Sequence, residues 1–250
     1  EPDRIVDAVL RAARRSSELQ GMSIVVTAGP TREAIDPVRF ISNRSSGKMG
    51  YAMARAAVAQ DADVILISGP VDLPPPPGVE VRTVTTAEEM YEATHAAIGD
   101  ADIFIAAAAV ADYRPAVPSE QKIKKTAETM TIELVRCPDV LASVAALEGG
   151  PFTVGFAAET EKLEEYARDK LVDKKLDMII ANHVGADRGF DRDENAASVF
   201  WAAGERQFPE ARKSKLANEL VELIAERYYA ARGSGTHPRL SIIPNKNRRT

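Results

Sequence analysis

Cysteine is almost missing from this 250-residue chain. The one thiol, Cys137, excludes an internal disulfide framework and fits a reducing cytoplasm. Long apolar runs are missing too, so no segment reads as a membrane-spanning helix and no membrane partner is expected. The opening residues Glu1-Pro2-Asp3-Arg4 lack the basic and apolar regions of a secretory signal. Positive charge is not in excess, since 32 Lys and Arg against 37 Asp and Glu leave a net charge of −5. A duplex nucleic-acid binder carries a basic face or domain, so nucleic acid is not expected as a partner. The three histidines, His95, His183 and His237, have no ligand spacing. With no evident nucleophile–base pair, chemistry here would rest on positioning and charge stabilisation.

What is present is an ordinary globular composition on a chain long enough for one sizeable α/β core. Apolar runs occur at 23–28, 63–68, 79–84, 102–108, 152–156 and 177–181, and continuous runs of this kind suit strands buried on both faces. Helical periodicity at 47–60, 87–98, 139–147 and 160–174 falls between most of them. The alternation predicts an α/β fold, a Rossmann-like doubly wound, mostly parallel sheet with helices on both faces. Residues 188–208, with Gly189, Asn195 and Gly204 as turns, read as a β-hairpin extension, and 213–230 as a final amphipathic helix. Four prolines at 74–77 require an extended surface connection. Residues 3–19 read as a surface or linker helix, and the tail from Arg232, rich in Gly, Pro and basic residues, as disordered. The chain lacks an initial Met, which suggests a piece of something longer.

The most informative segment is Asn43-Arg44-Ser45-Ser46-Gly47-Lys48-Met49-Gly50, small and polar at the start of a helix. Unpaired amides and the positive end of a helix dipole suit phosphate there, although small residues at a helix start serve equally as a packing device. The segment is not a Walker A loop, because Ser42 and Met49 break that pattern. A dinucleotide fingerprint would have Gly in place of Ser45 and would follow its strand directly. The loop from Ala28 to Arg39 leaves the carboxyl end of the first strand, where open α/β sheets bind ligands. Its Arg32 and Glu33 read equally well as solvated surface. Ala106-Ala107-Ala108-Ala109-Val110-Ala111-Asp112-Tyr113 leaves room at a strand end for a flat base, or for tight helix packing. Asp112 is well placed for a metal or a ribose hydroxyl. Lys122-Ile123-Lys124-Lys125 is a basic loop between prolines and polar residues. Phe156 is a stacking or core residue, and Lys170 and Lys174 share a helix face.

Together, Thr27 to Glu33, Ile35 to Arg39, Asn43 to Gly50, Ala107 to Tyr113, Lys122 to Lys125 and Gly155 to Thr160 resemble bacterial phosphopantothenate–cysteine ligase (phosphopantothenoylcysteine synthetase). In many bacteria this is the C-terminal half of a bifunctional coenzyme A biosynthesis protein. The resemblance runs through about residues 22–229. It implies that CTP activates 4′-phosphopantothenate as an acyl-cytidylate with loss of pyrophosphate, and that cysteine then displaces CMP. It implies catalytic roles for Asn43 and Lys122. Ala106, Ala107, Ala108, Asp112, Lys122, Pro138, Asp139, Val140, Leu141, Phe156, Lys170 and Lys174 would bind CTP. Asn43, Ser45, Ser46, Gly47 and Gly50 would hold the phosphorylated substrate, and Asp112 the cofactor Mg2+ (or Mn2+). Residues 113–125 correspond to a flap. A homodimer is implied, with residues 188–208 as a candidate contact, and so is an N-terminal decarboxylase domain joined through 1–21 to a ligase domain at 22–231. Cys137 stands where Asn is expected. The rival readings are a dinucleotide-dependent oxidoreductase, opposed by Ser68-Gly69-Pro70 where an acidic residue should end the second strand, and a non-catalytic nucleotide-binding module.

Overall fold

The computed structural model describes residues 18–125, 128–159, 162–183 and 194–232. Its centre is an eight-stranded sheet. The strands are β1 (Ser23–Ala28), β4 (Asp63–Ser68), β5 (Val79–Thr83), β6 (Ile103–Ala106), β9 (Phe152–Glu159), β10 (Met178–His183), β11 (Glu194–Trp201) and β12 (Gly204–Arg212). They lie in the order β12-β11-β10-β9-β6-β1-β4-β5. The six from β5 to β10 are parallel, and β11 and β12 extend the sheet antiparallel. The strand order turns back between β1 and β6, and open α/β sheets place their ligand crevice outside such a switch point.

Period-two alternation within the strands assigns the faces. Ile24 and Val26 of β1, with Leu66, Ile105 and Ile180, face α1 (Lys48–Val58) and α5 (Lys213–Arg232). Val25, Ile67 and Phe104 face α2 (Ala87–Ala97) and α3 (Val140–Ala145). Ala157, Ile179 and Ala181 pack with Ala167 and Leu171 of α4 (Leu163–Asp173). Burying an aliphatic side chain of this size contributes about 1.5–3 kcal/mol. Fully buried Ile24, Val25, Val26, Leu66, Ile67 and Phe104 therefore account for the sheet's central strands. On α1, Gly50, Tyr51, Ala52, Met53, Ala54, Ala56 and Ala57 are all buried.

Two antiparallel ribbons rise beside the carboxyl edge. One pairs β2 (Arg32–Ala34) with β3 (Phe40–Ser42), the other β7 (Tyr113–Pro115) with β8 (Leu134–Arg136). Neither is evident in the sequence, because three residues are too few for a period to show. The start of the expected flap at 113–125 is therefore a paired strand, and the rest of it lies on the connection between β7 and β8. The expected strand over 102–108 ends at Ala106. Beyond it the chain follows the exit loop of β1, with Ala107 N–H donating to Thr27 O at 3.1 Å and Ala109 N–H to Gly29 O at 2.8 Å.

The expected hairpin is present as β11–β12, but its turn falls at residues 202–203. Asn195 lies within β11 at a bulge and Gly204 opens β12, which corrects the reading of both as turns; Gly189 lies outside the described residues. The last helix continues through Arg232, read from sequence as the start of the tail. Its guanidinium lies over the Tyr228 ring and donates to Gly150 O at 3.1 Å. Residues 1–17 and 233–250 lie outside the described part, and with them most of the linker helix and tail readings. Glu18 to Gly21 form a turn, and Leu19 is fully buried.

Candidate active site

The exits of β1 and β6 are laced together. Thr31 is fully buried; its N–H donates to Ala109 O at 3.3 Å, and its Oγ1 accepts from Ala111 N–H at 3.0 Å. Thr27 Oγ1 accepts from Ala108 N–H at 3.3 Å. Glu33 is buried, and its Oε1 accepts from Ala87 N–H at 2.9 Å at the start of α2. That replaces its reading as solvated surface with a helix-capping role. Arg32 lies 4.9 Å over the Phe40 ring.

Beside this lacing opens a cleft of about 440 Å³. Thr27, Ala106 and Ala108 form its floor, and Phe156 of β9 stands at one side. Pro138, Asp139, Val140 and Leu141, at the entry to α3, make one wall; Val110 to Tyr113 and Arg136 make the other. Lys174 reaches in from the end of α4. The small floor exposes backbone where larger side chains would fill the space.

Asp139 organises the α3 wall. Its Oδ1 accepts from Ala142 N–H at 2.9 Å as the helix cap, and its Oδ2 from Lys174 Nζ at 2.7 Å. Burial pushes its carboxyl up, but the Lys174 bond and the Ala142 amide outweigh that and leave its pKa below 3.8. A depressed carboxylate contributes stability above its unfolded value and loses it as pH falls through the folded one. Asp139→Ala is therefore expected to cost about 1 kcal/mol at pH 7 in urea unfolding, the worth of a lost cap. The deficit should shrink below pH 3.8; one that stayed constant with pH would contradict this role.

Asp112 is exposed at the mouth, and its carboxylate has no hydrogen-bond or ion-pair partner among the described residues. No group of three or more His, Cys, Asp or Glu able to hold a metal occurs among the described residues. Cys137 lines the same wall, and burial, reinforced by the Glu33 charge, pushes its thiol up to about 11. It is protonated at neutral pH, as expected of a silent thiol. Arg136, opposite Tyr113 across the β7–β8 ribbon, was missed in the sequence. A lone Arg outside any periodic segment carries no signal there, and only the ribbon turns it toward the cleft.

The other sequence-derived residues fall outside the cleft wall. Asn43 sits at its rim, with Nδ2 donating to Ala109 O at 3.2 Å and Val110 O at 3.1 Å. Ser45, Ser46 and Gly47 lead into α1 at the same edge of the sheet. Gly47 is the N-cap at φ 73°, a conformation that favours glycine, and no side chain caps the helix. Gly50 is buried, and a Cβ there would lie 2.5 Å from Ala28 Cβ. Its evident role is to let α1 lie close on β1. Ala107 spends its N–H on Thr27 O. Of the two lysines expected on one helix face, Lys174 is the C-cap of α4 and reaches the cleft, whereas Lys170 is exposed one turn back. Lys122 is exposed on the β7–β8 connection.

The fold and cleft define a doubly wound α/β protein with a cleft at the switch point. The chain belongs to the family described as the DNA/pantothenate metabolism flavoprotein C-terminal domain, whose profile matches residues 19–228. It is 52% identical to the coenzyme A biosynthesis bifunctional protein CoaBC of Vibrio vulnificus over 228 residues, covering 90% of this chain and 57% of that protein. Against CoaBC of Escherichia coli K12 the identity is 48% over 233 residues, with coverage of 91% and 57%. The chain thus spans little more than half the length of these relatives. The crystal structure of the C-terminal domain of a CoaBC superposes with a TM-score of 0.73 at 40% identity, covering 84% of this chain and 97% of that one. A Cab2 variant in complex with phosphopantothenate-cysteine shares the fold, with a TM-score of 0.69 at 16% identity over 91% and 95% of the two chains.

Proposed function

We propose that this chain is a CTP-dependent phosphopantothenate–cysteine ligase of coenzyme A biosynthesis. The observation that carries the reading is the switch-point cleft, with its alanine floor, Phe156 beside it and the unpaired Asp112 at its mouth, in a chain matching the C-terminal part of CoaBC. In the first step a carboxylate oxygen of 4′-phosphopantothenate attacks the α-phosphorus of CTP, and the bond to pyrophosphate breaks. In the second the cysteine amine attacks the acyl carbon, loses a proton and displaces CMP.

The base lies over Ala106 to Ala108 beside Phe156, between that side chain and Pro138 to Leu141. Lys174 and Arg136 offset phosphate charge. Lys122, carried by the β7–β8 connection, stabilises the charge that develops in the first step, and Lys170 supports the nucleotide from α4. Asn43 holds the reacting end of phosphopantothenate, while Ser45, Ser46, Gly47 and the amides of the first turn through Gly50 meet its phosphate. A single free carboxylate suits Mg2+ (or Mn2+), which is commonly held by one or two carboxylates plus substrate phosphates, so Asp112 would hold it. When bound, the ion offsets triphosphate charge.

Val38, Phe40, Tyr113, Val117, Leu134 and Val135 are exposed on or beside the two ribbons. An apolar group of this kind supports a homodimer joined through the ribbons rather than through β11–β12. The bifunctional relatives support an upstream decarboxylase domain and a cytoplasmic setting.

The expected result is pyrophosphate release that needs CTP, 4′-phosphopantothenate and a divalent cation together, with amide product only when cysteine is added. Calorimetric titration with CTP, ATP and NADH in parallel checks the nucleotide. Binding of NADH or ATP without CTP would overturn the ligase reading, and CTP binding without turnover would favour a non-catalytic module.

A further inference from the structure

We propose that Asp36 is a positioning residue for Lys122, its carboxylate clamping the flap peptide that follows this lysine. The proposal rests on the ligase reading above. The Asp36 side chain is fully buried. One oxygen, Oδ1, closes the turn between β2 and β3, accepting from Val38 and Arg39 N–H at 2.9 Å each. Turn closure needs no more than that. The second oxygen, Oδ2, accepts from Arg39 Nε at 3.0 Å and Nη2 at 2.5 Å, and also from Ile123 N–H at 3.1 Å. Arg39 Nη2 in turn donates to Ile123 O at 3.1 Å. Both polar groups of the Ile123 residue, 87 positions away, are thus held by one ion pair. Burying a carboxylate is costly unless it is paired and hydrogen-bonded, and a bidentate arginine is the pairing that fixes direction as well as charge.

The clamp is tied to the sheet. Ile35 and Asp36 N–H donate to Arg39 O at 2.8 and 3.2 Å, and Ser119 N–H donates to Ile35 O at 2.9 Å. At the root of the ribbon, Arg32 N–H donates to Thr85 O at 2.8 Å, and Glu33 caps α2. A continuous run of hydrogen bonds therefore leads from the β5–α2 connection to the backbone beside Lys122, whose side chain stays exposed. The Arg39 guanidinium holds the Asp36 carboxyl well below the usual carboxylate range, so the clamp stays ionised at neutral pH.

The test is a double-mutant cycle on Asp36→Asn and Lys122→Ala, reading CTP-dependent pyrophosphate release. Ile123→Pro serves as a second variant, removing the flap donor while sparing the buried ion pair. Misplacing a catalytic group by about 1 Å can cost about 100-fold, so Asp36→Asn and Ile123→Pro are each expected to lower kcat about 10- to 100-fold. The CTP titration and the unfolding midpoint of Ile123→Pro should stay near the parent. In the Lys122→Ala background neither substitution should reduce the rate further. Full activity of both variants, or losses that add to that of Lys122→Ala, would overturn the proposal. Tryptic cleavage reports the clamp without catalysis: cuts after Lys122, Lys124 and Lys125 should quicken in Asp36→Asn, and cuts after Lys124 and Lys125 in Ile123→Pro, whose Lys122–Pro bond trypsin does not cut; unchanged cleavage would show that no clamp exists. Quicker cleavage in a protein whose Lys122→Ala form keeps full activity would instead sink the role of Lys122 in the ligase reading, and the positioning role with it.

Discussion

Replacing Gly69 by alanine is expected to lower the unfolding free energy by about 3 kcal/mol, the upper part of the usual range for overpacking. A Cβ at this position would lie 1.8 Å from Pro30 O and 2.8 Å from Pro30 C. Both are backbone atoms, so no flexible side chain can swing away. The exit of β4 crosses the exit of β1 here, with Gly69 N–H donating to Ala28 O at 2.9 Å. Tyr51 Oη and Ser68 Oγ lie 3.1 Å apart beneath it. Relief would have to come from moving Pro30 and therefore Thr31, which holds Ala109 and Ala111 at the cleft. Gly69→Ala should thus weaken CTP binding as well as the fold, although Gly69 is not among the cleft-lining residues. Urea unfolding with an unchanged slope measures the first effect and calorimetry the second. A midpoint equivalent to a loss of under about 0.5 kcal/mol, the range of an ordinary surface change, would show that the crossing is looser than described.

Lys122→Ala is expected to slow CTP-dependent pyrophosphate release about 100- to 1,000-fold, the usual loss when one preorganised charge-stabilising group is removed. The fold should be untouched, because Lys122 is exposed and sits in a connection without regular structure. Both halves of that expectation matter. A slow enzyme with a lowered melting temperature would point to a structural role, and a fully active one would remove Lys122 from the site. The effect should fall on kcat more than on the CTP dissociation constant, since charge at the α-phosphate grows only as the pyrophosphate bond breaks.

The sheet was legible in the sequence because its central strands are covered on both faces and read as unbroken apolar runs. Ile24 to Val26 and Ile103 to Ile105 could hardly be anything else. The two ribbons were not legible, for their strands are three residues long, and β7 pairs with a strand about 20 positions further on. Glu33 shows the same limit at a single position. As a charged residue in a loop it reads as surface, and only the approach of α2 turns it into a buried cap.

The site divides along the same line. Ala106, Ala108 and Phe156 were singled out by their own local pattern and Pro138 to Leu141 through the family resemblance, and all of them line the cleft. Residues brought in by distant elements were not placed from sequence: Arg136 arrives through a ribbon, and Asp36 meets Ile123 across 87 positions. Lys170 and Lys174 were paired by helical spacing, but the helix ends between them, so one enters the cleft and the other does not.

The open sheet has two outer strands, β12 and β5, with no further strand paired to them among the described residues, and such edges are the usual starting point for unwanted fibres. On β12, Glu205, Arg206, Glu210 and Arg212 surround Pro209, which has no N–H to offer an incoming chain. On β5, Glu80 and Arg82 face solvent as an ion pair, and a block of four prolines sits just upstream. Neither margin offers a clean template to a stray strand. A concentrated solution of this protein should accordingly fail by loss of the native fold before it fails by edge-to-edge polymerisation.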